Sequence, residues 1–122
     1  MNDTRPQGMQ YYSKENLKLI NDVPGARQWA VSLDQTMLTY FEVNPNCRFE
    51  SHIHESEQIT MVIEGILYFE QGDKVIGVKA GEAIAIPSNA PHAVFTAEAA
   101  VKAVDAWSPV MDKYRASGTK SS

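Results

Sequence analysis

Apolar residues in this chain occur in short runs in which hydrophobic and polar positions alternate, and Gly, Pro, Asn and Asp punctuate the runs. Alternation with a period of two puts every second side chain on one face, as in a strand buried on one side. Residues 28–33 and 36–43 read as strands around Asp34-Gln35, and Asn44-Pro45-Asn46 ends the second. Residues 58–63 and 66–70 read as a hairpin across Glu64-Gly65. Gly72-Asp73 turns the chain into 74–79, and Ala80-Gly81-Glu82 turns it into 83–86. After Pro87-Ser88-Asn89 come 92–97 and 100–107. About eight closely spaced strands with no helical period between them predict an all-β sandwich or barrel. Residues 11–20 fit either a short helix or a loose covering strand. The expected organisation is a flexible segment over 1–10, one barrel over 11–114 and a small, polar, frayed tail over 115–122.

Composition narrows the picture further. A chain of 122 residues fits one domain with a modest core. Its 43% apolar and 21% charged residues are ordinary for a globular protein. A net charge of -4 argues against a basic face for phosphate backbones, so no nucleic-acid partner is expected. No run approaches the roughly 20 apolar residues that span a bilayer. The polar start, with Pro6 and Gly8, lacks a secretory apolar stretch. One cysteine, Cys47, excludes an intramolecular disulfide and reads as a packing or surface thiol. A soluble cytoplasmic protein without membrane contact is the expectation.

The chain has three histidines, and all fall in two short patterns. The first is His52-Ile53-His54, followed by Gln58 and closed by Gly65; the second is Gly81, Pro87, His92. Imidazole is the commonest protein ligand for transition metals. Strand parity gives His52 and His54 a common face and extends to Gln58, unless a bend at Glu55-Ser56 resets it. His92 opens a later strand just after Ala90-Pro91, where a rigid turn can aim it across a cavity. Three neutral imidazoles and an amide oxygen suit one divalent ion of Zn, Ni, Co, Mn or Fe. Such a set can be a closed structural site or, with water in the shell, one open to substrate. Singly, each piece has a plainer reading: a solvent-facing His pair, a loop histidine, a hydrogen-bonding core amide. Their combination in one two-part frame points to a metal.

These residues resemble the cupins, small β-barrels defined by two motifs. The first cupin motif, a His-x-His with an acidic residue and a closing Gly, is matched from His52 to Gly65. The second, a Gly, a Pro, a small turn residue and a His, is matched from Gly81 to His92. The resemblance implies a single-domain jelly-roll barrel with a short N-terminal covering segment. It also implies His52, His54, Gln58 and His92 as metal ligands. Gln58 replaces the usual acidic ligand, which removes one negative charge from the shell and makes the metal more electrophilic.

With Gln at that position the chain is similar to cupins of pectin degradation that linearise 4,5-unsaturated galacturonate. Their late Asp-x-aromatic-Ser-Pro-x-Arg segment corresponds to Asp105-Ala106-Trp107-Ser108-Pro109-Val110-Met111. Met111 stands where the Arg that would grip a carboxylate is expected, so either another cation, Arg48 or Lys102, takes its place or the substrate is not this uronate. The likeness implies an isomerase in which the metal polarises a substrate oxygen and Asp105 moves a proton. Val101, Ala103, Asp105 and Trp107 share one strand face, which sets Asp105 among apolar neighbours. Trp107 is expected to stack on a ring, and Tyr40 and Tyr68 are candidates to hydrogen-bond the ligand.

Two other functions are compatible with the same barrel. One is a dioxygenase with Fe or Mn, its cavity lined by Met61, Ile63, Phe69 and Phe95. The other is a non-catalytic module for a sugar or metabolite. A small molecule is the expected ligand in every case. Homodimerisation is also expected, because small barrels expose edge strands and residues 11–31 offer an apolar segment that could cross to a partner.

Overall fold

The computed structural model describes residues 7–115. Most of the N-terminal segment expected to be flexible (1–6) and nearly all of the expected tail (116–122) lie outside the described residues. The strands are β1 (Ile20–Asn21), β2 (Ala26–Ser32), β3 (Met37–Val43), β4 (Arg48–His52) and β5 (Glu57–Glu64). They continue with β6 (Ile66–Gln71), β7 (Lys74–Lys79), β8 (Ala83–Ile86), β9 (His92–Thr96) and β10 (Val101–Ser108). All pair antiparallel in two sheets, ordered β1-β2-β3-β10-β5-β8 and β4-β9-β6-β7. Among the described residues the only helical pieces are 3-10 turns at Lys14–Asn16 and Asp112–Tyr114, and no helix is long and apolar enough to cross a membrane.

Alternation along the sequence builds the core. In β3, Met37, Thr39, Phe41 and Val43 are buried, and in β10 so are Val101, Ala103, Asp105 and Trp107. The opposing sheet contributes Leu67, Phe69 and Val78 to the same apolar cluster. Val62, Val101, Thr39 and Thr60 are the largest side chains with almost no exposure. Two buried threonines among them mark a polar seam on the inner face of the larger sheet.

The eight expected strands correspond to β2, β3 and β5–β10. Residues 11–20 form neither a regular helix nor a long strand: one 3-10 turn leads to the two-residue β1. β2 pairs with β3 of its own chain, which places the second half of the 11–31 segment inside the larger sheet. The hairpin at Glu64-Gly65 is present, with Gly65 at φ +83°. A Cβ there would run into the Ala100 carbonyl oxygen, so glycine is required twice over.

Candidate metal centre

The unpredicted strand β4 delivers the first histidine. Phe49 faces Val94 on β9, and the next paired position is His52 facing His92. Between those pairs β4 uses one residue more than β9, a bulge at Glu50-Ser51. Strict alternation from the half-buried Phe49 would turn His52 outward; the extra residue turns it in, a common use of bulges beside functional sites. Beyond the strand, His54, Ser56, Gln58, Thr60 and Val62 are all buried while the residues between them are exposed. The bend at Glu55-Ser56 therefore keeps the parity. His92 is the first residue of β9, and the turn before it is tied to the first motif: the Asn89 N–H donates to the His54 carbonyl at 2.9 Å.

The three rings converge, with centroids 5.4 Å apart for His52 and His54, 4.4 Å for His52 and His92, and 5.0 Å for His54 and His92. One ligand nitrogen from each lies within 4.8 Å of the others. Each Nδ1 faces a main-chain carbonyl: that of Glu50 for His52 (2.8 Å), Ser56 for His54 (2.7 Å) and Ala90 for His92 (2.8 Å). A carbonyl accepts only, so every Nδ1 carries the proton and every Nε2 presents a lone pair. Burial holds the His92 imidazole below its ordinary range, the neighbouring histidines adding to the effect, which keeps its lone pair free. Among the described residues the buried His92 Nε2 has no hydrogen-bond partner.

Gln58 is oriented by a chain of hydrogen bonds. Thr60 Oγ1 donates to Asp105 Oδ1 at 2.6 Å, and its oxygen accepts from Gln58 Nε2 at 2.8 Å. The carbonyl oxygen Oε1 must then point the other way, and it lies 3.1 Å from His54 Nε2. With His54 neutral and its proton on Nδ1, two acceptors face each other there. A cation bound by both, together with His52 and His92, resolves that repulsion and supplies the missing partner of His92. The donor set therefore fits a divalent transition metal.

Asp105 is buried and also accepts from Thr39 Oγ1 at 3.4 Å. Burial raises its carboxyl to about 6, although both threonine bonds act in the opposite direction. Trp107 Nε1 donates to Thr39 at 2.9 Å, and its ring meets His54 edge-on at 5.2 Å. His52, Gln58, His92, Asp105 and Trp107 line a cavity of about 60 Å³ whose other walls are mostly apolar, among them Phe41, Phe49, Leu67 and Phe69. A larger groove of about 280 Å³ shares Phe69 and His92 with it and carries Lys74.

The structure thus brings together His52, His54, Gln58, His92, Asp105 and Trp107. It places the four expected substrate-binding residues elsewhere. Tyr40 stacks on Trp29 at 5.5 Å and donates to Glu42, on the outer face of the larger sheet. Lys102 lies on that same face, at the opposite parity to Asp105. Tyr68 stacks on Phe95 at 5.1 Å with the Arg48 guanidinium over Phe95, all on the outside of the smaller sheet. Met61 and Ile63 are exposed, so of the expected apolar lining only Phe69 reaches the cavity. Met111 packs against the core.

Sequence reasoning missed Thr39, Thr60 and Tyr114. The parity that selects Gln58 also selects Thr60, and the parity of β3 selects Thr39. Tyr114 follows the last strand, lines the cavity and donates to Asp22 at 3.3 Å. Burial pushes its phenol well above the usual range. No sequence signal marked it.

The fold has clear relatives among solved structures. KdgF from Halomonas sp. superposes with a TM-score of 0.76 at 20% identity, covering 84% of this chain and 97% of that one. An RmlC-like cupin from Shewanella frigidimarina gives 0.78 at 16% identity, covering 87% and 96%. The polyketide cyclase RemF from Streptomyces resistomycificus gives 0.74 at 24% identity, covering 84% and 80%. At such identities the likeness is one of fold. No curated protein sequence matches the chain. The sequence pattern of the cupin domain matches residues 39–107, from the threonine that holds Asp105 to the tryptophan beside His54, and the chain belongs to the cupin domain family.

Proposed function

We propose that this cupin is a metal-dependent enzyme acting on a small polar substrate, and that its reaction is the linearisation of an unsaturated uronate. One observation carries the metal: His54 Nε2 and Gln58 Oε1, both acceptors, lie 3.1 Å apart beside two more converging imidazoles. His52, His54, Gln58 and His92 would hold the ion, which when bound polarises a substrate oxygen as a Lewis acid. Asp105 is suited to proton transfer because burial raises its carboxyl to about 6, close to neutral working pH. Trp107 and the apolar wall keep water from that carboxyl. The uronate reading rests on the resemblance to pectin-degradation cupins and on the likeness to KdgF.

The test combines elemental analysis of untagged protein with loss of the conjugated absorbance of 4,5-unsaturated galacturonate. One metal per chain with turnover supports the proposal. Stoichiometric metal without turnover removes the uronate, and no metal even after reloading removes the enzyme. A second reading has its own observation: among the described residues no lysine or arginine lines the cavity, and most of its wall is apolar. That lining favours an uncharged substrate and a metal-dependent dioxygenase, for which oxygen uptake is the deciding assay.

A further inference from the structure

The groove beside the metal centre runs between β7 and β8, the edge strands of the two sheets. Residues paired directly across antiparallel strands share a face, so the register shows which side chains enter it. Ile84 and Ile86 pair with Thr60 and Gln58, on the inner face of the larger sheet. Across the gap, Lys74 and Ile76 pair with Gln71 and Phe69, on the inner face of the smaller one. Ile76 has inward parity and is still 55% exposed, so the sandwich is open along this side. Apolar walls with few polar groups are the usual make-up of a small-molecule site.

One cation belongs to this groove. Of the lysines and arginines in strands, Arg27, Arg48, Lys79 and Lys102 stand on outer faces. Lys74 alone has inward parity, and among the described residues it forms no ion pair. Glu70 also borders the groove, but its carboxylate is on the outer face, held by Arg48 at 2.7 Å. The row that holds Lys74 leads to the histidines. His52 pairs with His92 and Glu70 with Ala93, so the next step along β6 sets Gln71 beside His92. Gln71 Nε2 closes that step by donating to the Pro91 carbonyl at 3.0 Å. Gln71 in turn pairs with Lys74. Two strand spacings of about 4.8 Å place the Lys74 backbone about 10 Å from that of His92.

We infer that this groove receives the substrate as a small acid, with its carboxylate on Lys74 and an oxygen at its far end beside the histidines. The inference rests on the metal-dependent reading above, and it selects an acidic substrate over an uncharged one. Lys74 then does what Met111 cannot do and what Arg48 and Lys102 are turned away from doing. An ammonium is a compact charge on a flexible stem, so it can follow a carboxylate over this span without the fixed fork of an arginine. Phe69 and Ile76 on one side, and Ile84 and Ile86 on the other, cover the carbon skeleton and bring no competing charge. At about 280 Å³ the groove falls just under the roughly 300–1,000 Å³ of sites for drug-sized ligands, which keeps the acid small.

Binding and turnover are measured together in wild type, Lys74→Gln, Lys74→Arg and the control Lys79→Gln, which lies on the same strand and faces out. Titration calorimetry on metal-free and zinc-loaded protein compares galacturonate with galactose, two sugars that differ at the carboxylate. Wild type and Lys79→Gln should prefer galacturonate by about tenfold or more, the effect of one charge-assisted hydrogen bond. Lys74→Gln should lose that preference, and Lys74→Arg should keep most of it. With 4,5-unsaturated galacturonate, Lys74→Gln should raise KM by about the same factor and leave kcat within about twofold. A preference for the acid that depends on Lys74, without turnover, removes the uronate reaction and supports the inference. Turnover with an unchanged KM in Lys74→Gln keeps the reaction and overturns the inference. So does a wild type with no preference for the acid.

Discussion

The cavity has two walls of opposite character. On the side of β4, β9 and the loop after β4, three imidazoles have Nδ1 engaged by main-chain carbonyls, and among the described residues the Nε2 of His92 has no hydrogen-bond partner. On the side of β3, β5 and β10, Gln58, Thr60, Asp105, Thr39 and Trp107 form an unbroken series of hydrogen bonds. A buried polar group left unpaired costs about 1–3 kcal/mol, so a folded chain rarely keeps one without a reason. The first wall could hold a metal ion; the second orients the Gln58 amide beside it. Gln58 joins them, its nitrogen in the series and its oxygen in the gap.

Removing one imidazole should have the largest effect. His92→Ala takes away a donor whose Nε2 has no protein partner, so metal affinity should fall beyond the roughly 10–100-fold typical of losing an outer partner. Metal at about 100 times its Kd stabilises a folded chain by about 2.7 kcal/mol. Thermal melts with and without chelator should show that gain in wild type and none in His92→Ala. An equal gain in both would place the ion elsewhere.

The satisfied wall makes a prediction about pH. The Asp105 carboxyl lies near 6 in the folded chain, against 3.8 for the free side chain, so the folded state binds the proton more tightly. Its contribution is therefore fully present below about pH 4 and is lost as pH rises toward 6, in total about 3 kcal/mol. Urea denaturation of the metal-free protein between pH 4 and 6.5 should reveal this fall, and Asp105→Asn should flatten it. A variant with an unchanged slope would show that some other group titrates.

Breaking the series without touching a ligand or the carboxyl comes next. Thr60→Val keeps the shape but deprives Gln58 Nε2 of its acceptor and Asp105 of a donor. Stability should drop by about 1–3 kcal/mol, and metal affinity by about 10–100-fold as the Gln58 amide loses its orientation. Calorimetric titration separates the two effects. Weakened folding with unchanged metal affinity would reduce Thr60 to a core hydrogen bond.

The two walls also differ in how far the sequence reveals them. Alternation exposes β5 and β10 at once, because Gln58, Thr60 and Val62 sit in step, as do Ala103, Asp105 and Trp107. It fails on β4, where Arg48-Phe49-Glu50-Ser51-His52 holds a single large apolar residue and a bulge interrupts the period. The histidines were legible from their motif alone; their convergence depends on that bulge. The threonines were not, since a threonine in a strand is ordinary whichever way it points. Lys102 is the instructive miss: the parity that turned Asp105 inward already turned its neighbour three places earlier outward.

Arg48 gives the smallest expected effect and the sharpest control. Charge alone made it a candidate for gripping a substrate carboxylate. Its guanidinium instead lies over Phe95, 5.7 Å from the ring centre, and donates to Glu70 at 2.7 Å on the solvent side of the smaller sheet. The Phe95 backbone lies between that cation and the histidines, only three residues from His92, so position along the chain misleads where strand parity does not. Exposed ion pairs contribute little to folding. Arg48→Ala should therefore match wild type in metal affinity and in KM for any substrate the cupin turns over. A raised KM would mean that the substrate reaches around the edge of the smaller sheet, and the separation of inner wall from outer face would fail there.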